Sequence, residues 1–133
     1  MSCKSAIYTA LTTPTTVLAG GTIPLGAIVR RYGSDIDVNG NGINLCQSGY
    51  YDADTSITVL AAVPGAITAT LLNNGVPVPG ATATASAAAA GNAVNLSITA
   101  LLRHLCHCGV GTLTVVLSAA GTVSNMALTV ERI

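Results

Sequence analysis

Apolar and small polar residues alternate at period two in four short runs: Ile57-Thr58-Val59, Ile67-Thr68-Ala69-Thr70-Leu71, Val94-Asn95-Leu96-Ser97-Ile98 and Met126-Ala127-Leu128-Thr129-Val130. No stretch carries a sustained helical period. Successive side chains of a strand point to opposite faces, so this pattern predicts half-buried antiparallel strands. Turn formers such as Asn73-Asn74-Gly75 and Ala120-Gly121 separate the runs at intervals of roughly ten residues, the spacing of an all-β sandwich.

Further strands are expected over 5–11, over Thr16-Val17-Leu18, over 112–118 and over 125–133. The Gly/Asn-rich stretch Val38-Asn39-Gly40-Asn41-Gly42 ahead of Ile43-Asn44-Leu45-Cys46 predicts a hairpin, and Gly49-Tyr50-Tyr51 opens the next strand. Pro24 limits where Ile23 to Val29 can sit in a sheet. Neither proline of Val76-Pro77-Val78-Pro79-Gly80 can donate a backbone hydrogen bond, so this segment fits an edge strand or a loop. The stretch from Ala81 to Ala90 reads as a flat strand followed by a turn. Thr99 to His104 fits either one helical turn or a continuation of the strand from Ile98.

Composition sharpens this picture. The chain has 133 residues, which implies one domain that buries about two-thirds of its extended surface. It has no Phe or Trp, four Tyr and seventeen Thr, so small β-branched residues must fill a tightly packed sheet core. Only 8 % of residues are charged, five basic against five acidic, where an average soluble domain has about 25 %. Lys4, Arg30, Arg31, Arg103 and Arg132 form no basic stripe, which argues against nucleic acid as a partner. A mean hydropathy of +0.64 with so few charges predicts exposed apolar area, and hence self-association. No uninterrupted apolar run is long enough to cross a membrane as a helix. Met1-Ser2-Cys3-Lys4-Ser5 leads into no apolar stretch, so the expectation is a chain made in the cytoplasm without a signal peptide. Such a chain reaches the outside by lysis or on a released particle, and residues 1–5 are a candidate N-terminal arm.

Four segments, in order, carry a family resemblance: Gly20-Gly21-Thr22-Ile23-Pro24-Leu25-Gly26, Gly49-Tyr50-Tyr51-Asp52, the stretch from Leu71-Leu72-Asn73-Asn74 to Val78-Pro79-Gly80, and Ala127-Leu128-Thr129-Val130-Glu131-Arg132-Ile133. With these the chain resembles the C-terminal globular domain of the collagen-like spore-surface (exosporium, BclA-type) glycoproteins, which is similar to the tumour necrosis factor and complement-type jelly roll. The resemblance implies a ten-strand-type antiparallel jelly roll, a homotrimer, and a structural or adhesive role without catalysis. It also implies that tyrosines such as Tyr8, Tyr50 and Tyr51 sit at a three-fold interface, although ordinary half-buried strand positions account for them equally well. Two features depart from the family: no Gly-X-Y stalk precedes the domain, and Leu105-Cys106-His107-Cys108 has no counterpart in the spore-surface pattern. Short stand-alone domains of this kind are similar to phage virion decoration or head-fibre proteins.

The reactive residues are few. A zinc set of Cys46, His104, Cys106 and Cys108 has suitable ligand types but lacks the usual two-residue gap between paired cysteines. Disulfides within or between subunits and free buried thiols are the alternatives. An extended Cys-X-Cys places its sulfurs near the limit of disulfide reach, so Cys106 and Cys108 would crosslink to Cys46, Cys3 or a neighbouring subunit. Asp35, Asp37, Asn39 and Asn41 superficially match a calcium loop. The twelfth position, however, falls on Ser48 where a bidentate Glu is required, so a hairpin turn is the simpler reading. Asp52 and Asp54 form a second cluster of oxygens. The chain has no nucleophile elbow and no phosphate loop, and neither His104 nor His107 has more than sequence proximity to Cys106, so no enzymatic activity and no cofactor are expected. The sequon Asn95-Leu96-Ser97 matters only in a eukaryotic secretory pathway.

These readings converge on a non-enzymatic homotrimer displayed on a virion or spore, with itself and a capsid or spore-coat protein as partners. The rivals are a disulfide-crosslinked filament subunit and a glycan- or calcium-binding adhesive module.

Overall fold

The computed structural model of the protein describes residues 5–33, 35–46, 48–104 and 111–133. Among them are eleven strands and no helix: β1 (Ala6–Leu11), β2 (Thr15–Val17), β3 (Ala27–Tyr32), β4 (Ile36–Asn39), β5 (Gly42–Leu45), β6 (Gly49–Ala61), β7 (Gly65–Asn73), β8 (Val76–Ala87), β9 (Ala93–His104), β10 (Gly111–Leu117) and β11 (Gly121–Arg132). They form two antiparallel sheets. One runs β3-β1-β11-β6-β9, with β2 also paired to β11, and the other runs β4-β5-β10-β7-β8. The architecture is the antiparallel jelly-roll sandwich expected from the alternation, with one strand more than the ten that the resemblance implied.

Alternation explains the core. Tyr51, Ala53, Thr55, Ile57, Val59 and Ala61 of β6 all point inward, as do Leu96, Ile98, Leu102 and His104 of β9. They meet Ile67, Ala69 and Leu71 of β7 and Leu113, Val115 and Leu117 of β10 from the facing sheet. The inward hydroxyl of Thr55 donates to the Ala127 carbonyl at 2.9 Å, so its burial leaves no donor unmet.

Bulges shift the period where the sequence pattern loses it. In β11, Val123 pairs with Val59 and Asn125 with Thr58, which leaves Ser124 as the extra residue. One added residue swaps the faces of a strand, so Val123 and Met126 both reach the core although they are three apart. In β3, Val29 is the extra residue between Arg30 and Ile28. This edge strand is exposed along its whole length, so it has no alternation to read.

The turns follow their chemistry. A two-residue turn at Gly40-Asn41 joins β4 to β5, with Gly40 at φ +62°, a hairpin geometry that glycine adopts without strain. Asn74-Gly75 joins β7 to β8 in the same tight manner. β8 is an edge strand, as its prolines predict, and between Pro77 and Thr82 it leaves the ladder. Residues 99–104 continue β9 as a strand, because β6 supplies a hydrogen-bonding partner as far as Gly49 opposite His104. The segment after β2 crosses to the other sheet, where Thr22 bridges Val116 and the Ile23 amide donates to the Val115 carbonyl.

Candidate functional site

Cross-strand register lays out the outward face of the larger sheet in rows. Across β3, β1, β11, β6 and β9, one row reads Tyr32, Ala6, Glu131, Asp52, Leu101 and the next reads Arg30, Tyr8, Thr129, Asp54, Thr99. A third row, Ala27, Ala10, Ala127, Ser56, Ser97, is small and neutral. Beyond it, Asn125, Thr58 and Asn95 line up, and Asn95 donates weakly to Ser56 and Thr58. One half of the face is therefore a flat neutral floor, and the other half carries aromatic and acidic groups.

The acidic groups lie side by side. Asp52, Asp54 and Glu131 are three of the five acidic residues in the chain, and Glu131 stands directly opposite Asp52. Like charges in that position repel, at a cost of up to about 1 kcal/mol. The ion pairs among the described residues are elsewhere, Arg31 with Asp37 and Arg132 with Asp35. Asp54 accepts a hydrogen bond from the Thr99 hydroxyl at 2.5 Å.

Two concave apolar features lie at opposite ends of these rows. Ala6, Tyr8, Arg30, Tyr32 and Thr129 line a notch of about 150 Å³ over β1 and β3. Val76, Pro77, Pro79, Leu101 and Arg103 line a groove of about 320 Å³ along the flank where β8 and β9 end their sheets. Leu101 is 63 % exposed, Val76 64 % and Tyr32 70 %.

At one end of the sandwich a polar cluster ties strand termini together. Arg132 Nη1 donates to Asp35 Oδ2 at 2.6 Å and Arg132 Nη2 to the Ser48 carbonyl at 2.9 Å. The Asp35 amide donates to Ser5 Oγ, the Arg132 amide to the Ser5 carbonyl, and the Cys46 amide to the Asp35 carbonyl. The half-buried Cys46 carries a free thiol. His104 is buried at the same end, and its Nε2 has no hydrogen-bond partner among the described residues. Cys46 and His104 are the described members of the expected zinc set. Cys3, Cys106 and Cys108, needed for that set and for the expected crosslinks, lie outside the described residues, and the described ones contain no group of three or more metal-ligating side chains.

The other expected sites sort clearly. The calcium-loop residues do not converge, because the Asp35 carboxylate is held by Arg132 while Asp37 pairs with Arg31 and caps the Val38 amide. Asn39 and Asn41 belong to the hairpin turn. Of the expected interface tyrosines, Tyr8 and Tyr50 lie on the outward face, whereas Tyr51 requires correction. It is fully buried in the core, because β6 alternates and only one of two adjacent tyrosines can face out. Tyr32, Leu101, Arg103 and Glu131 were not expected at this face. Only pairing with distant strands places them there, and no local spacing signals it.

The comparisons with known proteins now have a structural context. No family model matches the chain, and no curated protein matches it in sequence. Solved structures do. Murine APRIL is 12 % identical at a TM-score of 0.76, over 98 % of this chain and 99 % of its own. The globular domain of zebrafish complement 1qA is 10 % identical at 0.67, over 96 % and 95 %. The vertex protein P5 of the phage PRD1 is 14 % identical at 0.64, over 100 % and 99 %. The fold is the TNF/C1q-type jelly roll. In this TNF-like jelly roll the rows described above are the outward face of the sheet that holds both chain ends, β1 and β11.

Proposed function

We propose that this chain is a non-enzymatic structural protein that assembles as a homotrimer and is displayed on a particle surface, either a phage virion as decoration or head fibre, or a spore. The outward face of the larger sheet carries the reading. Its neutral floor and exposed Tyr8, Tyr32 and Tyr50 hold little charge to keep them hydrated, and surfaces of that make-up are what protein partners cover. The whole-length likeness to a phage vertex protein supports the virion branch, and the TNF/C1q-type fold supports self-association. The test is to purify particles from the producing host, label their surface with a membrane-impermeant amine reagent, and identify labelled chains by mass spectrometry. The chain is expected among the labelled particle proteins. Recovery only from the soluble fraction overturns the reading.

A crosslinked filament subunit is the second reading, favoured by one observation. Ser5, two residues after Cys3, lies at the same end of the sandwich as Cys46, and so do His104 and Gly111, which bracket Cys106 and Cys108: Gly111 pairs with Leu45 and His104 with Gly49. On this reading Cys3→Ser abolishes high-mass species on a non-reducing gel, and their persistence removes it.

A further inference from the structure

We propose that neighbouring copies join head to tail, with the Leu101–Arg103 flank of one copy seated on the notch of the next, so that Arg103 meets Glu131 and Asp52. This rests on the homotrimer reading above and names the surfaces that would build it.

Three observations lead to the partner being a second copy. The first is charge. Glu131 and Asp52 face each other across β11 and β6 without an ion pair among the described residues, in a chain with only five acidic residues. A protein this poor in charge places two like charges side by side, a local cost that a cation brought by a partner turns into a gain. Arg103 is exposed and likewise has no ion pair among the described residues.

The second observation is shape and polarity. The notch of Ala6, Tyr8 and Tyr32 adjoins Glu131 in the same rows, and exposed Leu101 adjoins Arg103 on the flank. Each patch thus combines an apolar part with a charge, of opposite sign in the two patches. The third is position. The notch lies over β1 and β3 and the flank lies at β9, the other end of the same sheet, so one protomer cannot satisfy both. A contact between two different patches is heterologous, and it closes into a ring when its rotation divides a full turn. Pro77 and Pro79 on the flank lack amide donors, so the flank does not recruit a neighbour by adding a strand, and the contact is made by side chains.

The experiment is light scattering behind size exclusion on the full chain and three variants at about 10 µM subunit: Arg103→Glu, Glu131→Arg, and the two combined. Both positions are exposed, so circular dichroism should report an unchanged strand spectrum for each variant. Each single variant is expected to weaken association by at least about tenfold and shift the mass towards one chain, and the double variant to regain the original mass. If the unsubstituted chain is an oligomer and all three variants keep its mass, this contact is wrong while the homotrimer reading stands. If the unsubstituted chain runs as a single subunit, the homotrimer reading itself falls, and this inference with it.

Discussion

At the residue scale, neighbouring identical side chains have opposite roles. Tyr51 is sealed in the core and Tyr50 is about half exposed, so Tyr51→Ala is expected to cost about 3–5 kcal/mol in urea unfolding and Tyr50→Ala less than about 1 kcal/mol. Equal losses would contradict the correction made for Tyr51. Gly26 poses a different constraint. At φ +77° its added Cβ would lie 2.2 Å from the Ala10 carbonyl oxygen, so Gly26→Ala must displace backbone. Gly40→Ala has open space and carries only the strain of its positive φ, about 1 kcal/mol, so Gly26→Ala is expected to lose several times more stability by the same measurement. The Asp35 carboxylate, committed to Arg132, is not free to serve a cation. Millimolar calcium is therefore expected to leave the thermal midpoint unchanged within about 1 °C, since only a ligand bound by the native state raises it. None of these contrasts was readable from residue type alone. The doublet Tyr50-Tyr51 announced that one ring would face inward, but the phase of β6 decides which.

At the element scale, the sequence was most readable where strands are covered on one face and turns use their favoured residues. The hairpins at Gly40-Asn41 and Asn74-Gly75, the edge character of Val76 to Gly80 and the runs in β6, β7 and β9 were all visible as alternation or turn chemistry. β3 was not, because no opposing sheet covers it and nothing selects apolar residues on one side. The start of β11 was hidden by its bulge. Deleting Ser124 would restore a regular ladder but turn Val123 out of the core, and is expected to destabilise the fold by about 2–4 kcal/mol in chemical denaturation. A deletion that leaves stability unchanged would mean that the bulge does not set the register. The stretch from Thr99 to His104 was ambiguous because its residues suit a helix as well as a strand, and the long partner β6 settled it.

At the scale of the whole molecule, composition foretold more than any motif. Half hydrophobic and 8 % charged, the chain fills a core with small aliphatic side chains and still leaves Leu18, Tyr32, Val76 and Leu101 outside. That surplus is the physical ground for assembly. The candidate face, by contrast, was legible only in fragments. Tyr8, Tyr50, Asp52 and Asp54 could be singled out as residue types, but bringing Glu131 beside Asp52 takes pairing between strands some eighty positions apart. The account therefore stands on association, and the native mass of the unsubstituted chain tests it most directly, measured by light scattering behind size exclusion with and without reductant. A mass of three 13.2 kDa chains that is insensitive to reductant is the predicted result. A single-chain mass at micromolar concentration would contradict it.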